Sequence, residues 1–270
     1  MQIRPSFLGQ RGHHVHHQVQ ISDMASIGQM PQYGVEHWSY LALTLICVLL
    51  AVPLVRRYPQ ILTPAGWILL GATVFWTVWG FLPANFTIAQ SLPFHFSALL
   101  RFIASIALIT RARWAVSLTI FWGLTLNLMS LLSPDLNYYT VPWLEGFFYW
   151  FLHIVVLTAA FVFIFSLRCS PGTVDIATTM PITIAWGILC LVVNQFTGAN
   201  YGYLSHEPAV DSILDYLGGW PTYIVAELFL LGIAWALITW AIWGWKSFYT
   251  SNTRNVMADS TDGSSTSSAP

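Results

Sequence analysis

The feature that most constrains this chain is a series of seven apolar stretches, each about as long as the ~20 residues a helix needs to cross roughly 30 Å of hydrocarbon. They lie near Trp38–Val55, Ala65–Leu82, Pro93–Thr110, Trp114–Leu132, Trp143–Leu167, Pro181–Ala199 and Pro221–Trp245. Backbone groups in lipid must be satisfied inside the segment, so such stretches read as helices. Barrel strands would alternate apolar and polar residues, and these do not. Composition agrees: charged residues make up 8% of the 270, against about 25% in a soluble domain. The sequence therefore predicts an all-α, polytopic transmembrane helix bundle with seven spans.

The basic residues give it a direction. Arg56 and Arg57, Arg111 and Arg113, Arg168, and Lys246 with Arg254 fall in alternate connections or after the last span. The remaining loops, Pro83–Leu92, Ser133–Pro142 and Asn200–Trp220, contain no Lys or Arg. The positive-inside rule then puts the N-terminus outside and the C-terminus in the cytoplasm, with the protein in the cell membrane. Three segments follow: a flexible external stretch over 1–36, a transmembrane domain over 37–246, and a Ser/Thr-rich disordered tail over 247–270.

Several chemistries drop out. No basic stripe supports nucleic-acid binding, and membrane lipids are the expected partners. Cys47, Cys169 and Cys190 show no metal or redox spacing. His13, His14, His16 and His17 cluster in the polar N-terminal segment; they are read as part of a flexible extension rather than a copper or zinc site. Met24 and Met30 are alternative starts, and no signal peptide is evident. No cofactor or metal is expected.

Polar groups inside the spans carry the functional signal, because a charge at mid-bilayer costs about +2.5 to +3.5 kcal/mol on insertion scales. They are His95 and Arg101, Asn127, Glu145 and His153, Asn194, and Glu227. Counted at 1.5 Å per residue, His95 and Glu145 lie about 3 Å below the outer ends of their spans, Arg101 about 12 Å and His153 about 15 Å. The set is confined to the outer half and midplane, which predicts a polar cavity opening outward, with Arg101 paired to Glu145 or Glu227. The alternative is that these groups pair between helices as polar glue. Asn200, Tyr201 and Asp215 belong to the long external loop, where acids and Gly/Pro turns beside aromatics predict a lid.

Leu92-Pro93-Phe94-His95, Phe121-Trp122-Gly123, Leu132-Ser133-Pro134-Asp135-Leu136, Phe148–His153, Gly198-Ala199-Asn200-Tyr201 and Leu214-Asp215 through Tyr223 run in one order across 36–249. In them the chain resembles the YwaF-type family of bacterial integral membrane proteins, itself distantly similar to a eukaryotic membrane protein implicated in acyl transfer to ether phospholipids. That resemblance implies a cysteine before the histidine at position 95 and a second histidine at position 153. Here Phe94 takes the cysteine's place, which closes a covalent thioester route at that position. The leading expectation is a lipid- or envelope-modifying, acyltransferase-like enzyme. His153 would be its general base and His95 its second catalytic histidine, with Arg101, Asn127, Glu145, Asn194, Asn200, Tyr201, Asp215 and Glu227 around the substrate. A transporter or a ligand-binding sensor is the alternative.

Overall fold

The computed structural model describes residues 27–208 and 213–262. The histidine cluster, Met24 and Asp211 lie outside the described residues. The described chain is helical: α1 Val35–Arg57, α2 Leu62–Phe81, α3 Phe96–Thr110, α4 Arg113–Leu124, α5 Leu126–Leu132, α6 Pro142–Phe165, α7 Thr173–Thr197 and α8 Thr222–Asp262. Two short strands, β1 (Gly28–Gln29) and β2 (Asn137–Tyr138), pair antiparallel.

Contacts between connections sort the helix ends into two poles. At the first pole β1 pairs with β2, Thr140 Oγ1 donates to Asn85 Oδ1 at 2.8 Å, and Tyr203 Oη donates to Asp135 Oδ2 at 3.0 Å. At the second, Arg56 Nη2 donates to the Phe165 carbonyl at 2.9 Å and Ser166 Oγ to the Val52 carbonyl at 2.8 Å. Trp243 Nε1 reaches the Pro171 carbonyl there at 3.2 Å.

Six helical segments are long and apolar enough to cross a membrane: Val35–Arg57, Pro59–Phe81, Arg113–Leu132, Pro142–Phe165, Thr173–Thr197 and Thr222–Phe248. The third expected span departs from the expectation. The sequence places its start at Pro93, but the helix begins at Phe96 and has 15 residues, ~22 Å of rise. The preceding segment is irregular, and it is tolerated because protein surrounds it and satisfies its backbone. Ser91 Oγ accepts from Thr87 N at 2.9 Å, Tyr201 Oη donates to the Ile88 carbonyl, and Leu92 N donates back to that hydroxyl at 3.2 Å.

Other boundaries shift for local reasons. The fourth expected span breaks at Thr125 (φ −118°, ψ −85°), between α4 and α5. There Thr125 Oγ1 donates to the Phe121 carbonyl at 2.6 Å and accepts from Trp235 Nε1 at 3.4 Å. The sixth starts eight residues before Pro181, at Thr173, so that proline is inside α7 rather than at its start. The cap is instead Asp175, whose Oδ2 accepts from Gly172 N at 2.8 Å. α8 continues through Asp262, past Ser247. Residues 27–34, assigned from sequence to the flexible N-terminal segment, pack on the bundle. Met30 is buried and accepts from Trp150 Nε1 at 3.4 Å, and His37 Nε2 lies 2.9 Å from the Leu131 carbonyl.

α4 and α6 form the centre, with Ala115–Gly123 wholly buried. Two glycines allow close approach: a Cβ on Gly66 would sit 2.7 Å from Ile109 Cγ1, and one on Gly123 would sit 3.2 Å from Ala160 Cβ. The apolar core, including Leu118, Phe121, Leu152, Val156, Phe163 and Trp235, fills the bundle toward the second pole. Polar side chains concentrate on the other side of it.

Candidate functional site

Toward the first pole α3, α6 and α8 each carry a few ionisable residues set among apolar ones, and these side chains border a cavity between the helices. The cavity is about 330 Å³, within the usual range for a small-ligand site. His95 and Arg101 enter it from α3 and its cap, Glu145, Tyr149 and His153 from α6, and Glu227 from α8. Asp135 lines it from the α5–β2 connection, and Gly202, Tyr203, Pro208 and Leu214 line it from the long loop. Of the seven polar residues expected around one cavity, His95, Arg101, Glu145, His153 and Glu227 line this one, and Asn127 and Asn194 do not.

His153 has a defined tautomer. Its Nδ1 lies 2.7 Å from the Tyr149 carbonyl, one turn earlier on α6. A carbonyl only accepts, so Nδ1 carries the proton and Nε2 keeps its lone pair. No protein group among the described residues occupies that Nε2. Tyr149 is held in turn: its hydroxyl donates to the Ser130 carbonyl at 2.6 Å, and its ring centroid lies 4.4 Å from the His153 ring.

His95 has the opposite tautomer. Its Nδ1 accepts from Gly202 N at 3.5 Å, which leaves the proton on Nε2. That nitrogen is buried without a well-aligned partner, although the Ala89 carbonyl acts on the ring. Tyr201 meets the same imidazole edge-on, with centroids 5.0 Å apart.

Arg101 is the cavity's cation, and the expected ion pair is not formed. Its Nε donates to the Ser97 carbonyl of its own helix at 3.1 Å. Among the described residues the one ion pair is Arg113–Asp175, far from this cavity. The reason is visible at Glu145. That carboxylate turns back at the start of α6 and accepts from Tyr139 N, Thr140 N and Val141 N at 2.8, 2.9 and 3.1 Å. Backbone donors at a helix start saturate it. Glu227 lines the cavity with no hydrogen bond or ion pair among the described residues. Arg101 instead exerts its charge on His95, Tyr149 and His153 together.

The remaining candidates from the sequence lie outside the cavity lining. Asn127 is buried and donates to the His153 carbonyl at 3.0 Å, fixing α5 against α6. Asn194 grips the backbone of Tyr201, accepting from its N at 2.8 Å and donating to its carbonyl at 3.0 Å. Asn200 folds the next turn, its Oδ1 accepting from Ser205 N at 3.0 Å and His206 N at 3.2 Å. Asp215 belongs to a single 3₁₀ turn, Ile213–Tyr216.

Asp135, Tyr149 and Tyr203 are cavity residues that sequence reasoning missed. Tyr203 adopts φ 55°, unusual for a residue with a Cβ, and is held from two sides. Its hydroxyl donates to Asp135, and its carbonyl accepts from Tyr223 Oη at 2.5 Å. Burial, then the charge of Asp135, pushes the Tyr203 phenol well above its ordinary range, so it remains a donor. The signal available in the sequence was the Ser133-Pro134-Asp135-Leu136 run, which recurs in the resemblance above.

Comparison with known proteins gives one family. The model of the TMEM164 family, a family of membrane proteins, matches residues 32–239. No curated protein and no solved structure matches the chain.

Proposed function

The chain belongs to the TMEM164 family, and from that premise we propose a multi-pass lipid-modifying enzyme that transfers an acyl chain between lipids in the first-pole cavity. The observation that carries this reading is the pairing, in one cavity, of a tautomer-fixed His153 with an Arg101 that forms no ion pair among the described residues. A general base needs an accessible lone pair and a fixed orientation. An anion site needs a cation whose charge is not already spent.

The chemistry balances without a protein nucleophile. The acceptor hydroxyl gives its proton to His153 Nε2 as its oxygen attacks the donor ester carbonyl. The tetrahedral intermediate collapses, the donor C–O bond breaks, and the departing alkoxide takes the proton back from His153. One ester is consumed and one is formed. Arg101 holds the phosphate of a head group, and the His95 Nε2–H is the donor reserved for the developing oxyanion. Phe94 packs on Trp186 and Tyr201 at centroid distances of 5.8 and 5.6 Å, in keeping with a route that uses no thioester at that position. The likeness to YwaF-type proteins, and through them to an acyl-transferring protein, points the same way.

The same proposal includes α3 as a seventh, short span. The first pole then faces outside, the second the cytoplasm, and the acyl donor is a lipid rather than a soluble thioester. A transport reading would need a polar route to the second pole, and the apolar core stands across it. Untargeted lipidomics of a deletion strain tests the proposal. Acyl-chain distribution should change in one lipid class and return with the wild-type gene but not with His153→Gln; an unchanged lipid profile would refute it.

A further inference from the structure

The cavity is smaller than the lipid it would serve. Its volume of about 330 Å³ is at the low end of the range for a drug-sized ligand, and a phospholipid with two long acyl chains does not fit inside. A lipid that reacts at His153 must leave most of its chains in the bilayer, so the cavity needs an opening between helices.

α5 and α8 frame such an opening. At its inner edge Trp235 of α8 donates through Nε1 to Thr125 Oγ1 at 3.4 Å, and its ring stacks on Phe121 with centroids 5.2 Å apart. At its first-pole edge Tyr223 of α8 donates through Oη to the Tyr203 carbonyl, and Tyr203 Oη donates to Asp135, just beyond the end of α5. From Tyr223 to Trp235 the helix rises roughly 18 Å. Between the two ties lie Leu126 and Met129 on α5 and Glu227 on α8, and all three line the cavity.

Met129 marks the place where this wall is open. It lines the cavity and is 41% exposed. Facing the cavity does not by itself give that exposure, because His153 and Leu136 border the same space and are buried. Leu132 on α5, and Phe229 and Leu230 beside Glu227 on α8, are exposed as well. Both helices belong to segments long and apolar enough to cross a membrane, Arg113–Leu132 and Thr222–Phe248, so the medium at this edge is hydrocarbon rather than water. The level also fits. Arg101 and Glu227 each lie five residues into their helices, roughly 8 Å from the first-pole ends, so a head group held at Arg101 has its chains beside the opening.

We propose that the gap between α5 and α8 is a lateral portal through which an acyl chain of a membrane lipid passes from the bilayer into the cavity, with Met129 as its gate. Methionine suits that position, since its unbranched, flexible side chain yields to a passing chain and refills the gap afterwards. The portal rests on the acyl-transfer reading for what happens at His153, whereas the opening itself rests on the walls of the cavity.

The test is photolabelling of the purified full-length protein in phosphatidylcholine vesicles that include a phosphatidylcholine with a diazirine midway along one acyl chain. Mass spectrometry then locates the label. It should appear on Tyr149, which lines the cavity, as well as on Leu49 and Leu50, which are exposed on α1. Met129→Trp fills the opening and should reduce the Tyr149 label severalfold, with the α1 label unchanged. Met129→Ala widens it and should raise the Tyr149 label; this variant decides alone should Met129→Trp fail to fold. Absence of label on Tyr149 in the wild type, or a Tyr149 label that the folded variants leave unchanged, overturns the portal. Labelling requires no turnover, so a gated label in a protein that moves no acyl chain refutes the transfer reading and leaves the portal standing.

Discussion

The His153 imidazole is tied through Nδ1 to the carbonyl of Tyr149 at 2.7 Å, and this bond decides which nitrogen can act. Tyr149 is anchored to Ser130, and the His153 carbonyl is anchored by Asn127, so α5 fixes the histidine from both sides. The break at Thr125 separates α5 from α4, and both helices pack on α6.

Asn127→Leu tests this anchoring. Interhelical hydrogen bonds in membranes average about 0.6 kcal/mol and reach ~1.7 kcal/mol, so the variant should lose about that much stability. If anchoring serves His153, lipid-modifying activity should fall by a larger factor than abundance. Activity that tracks abundance alone would assign Asn127 to packing.

Tyr203→Phe removes the hydroxyl bonded to Asp135 while keeping the ring beside His95. The cost should be about 1–2 kcal/mol, because the acceptor is a carboxylate. The effect should appear as faster proteolysis within 200–220. The raised phenol value means that the bond is fully present at neutral pH and is lost only as pH rises above the ordinary tyrosine range. Protease resistance of the wild-type loop should therefore be flat from pH 6 to about 9.

Gly66→Ala would put a methyl group 2.7 Å from Ile109 Cγ1 and 2.9 Å from Leu108 Cβ. Overpacking of this kind costs about 1–3 kcal/mol, and here it should push α2 off α3, which carries Arg101. A melting temperature equal to wild type would mean that the two helices separate more easily than their packing suggests.

The topology proposal is open to reporter fusions. A reporter active only outside the membrane should work when inserted in 200–220 and fail when placed after Lys246. The reverse pattern would place the cavity on the cytoplasmic side and reopen a soluble thioester as donor.

The cavity residues most legible in the sequence were those that are expensive in lipid. Arg101, His153 and Glu227 stand out in apolar runs, and His95 closes the turn before α3. Asp135 and Tyr203 were hidden because they sit in connections, where a polar residue has no insertion cost to explain. Asn127 and Asn194 illustrate the opposite error. A buried amide has donors and an acceptor, which suit a ligand and a neighbouring backbone equally well, and in both cases the backbone took them. Pro181 suggested a helix start, but the Asp175 side chain capped Gly172 two turns earlier. The break after Leu124 left no mark, since Thr125 interrupts neither the apolar pattern nor the helix-forming composition.

The central claim is best tested with purified protein reconstituted in vesicles containing a phospholipid labelled in its acyl chain and an unlabelled lysophospholipid acceptor. His153→Gln keeps hydrogen-bonding capacity and similar bulk but cannot take up a proton at neutral pH. Wild-type protein should move label to the acceptor, and His153→Gln, reconstituted to the same level, should slow that transfer by about 10²-fold or more, the scale of a lost general base. Equal transfer by the two proteins, or none by the wild type across acceptor classes, would contradict the account.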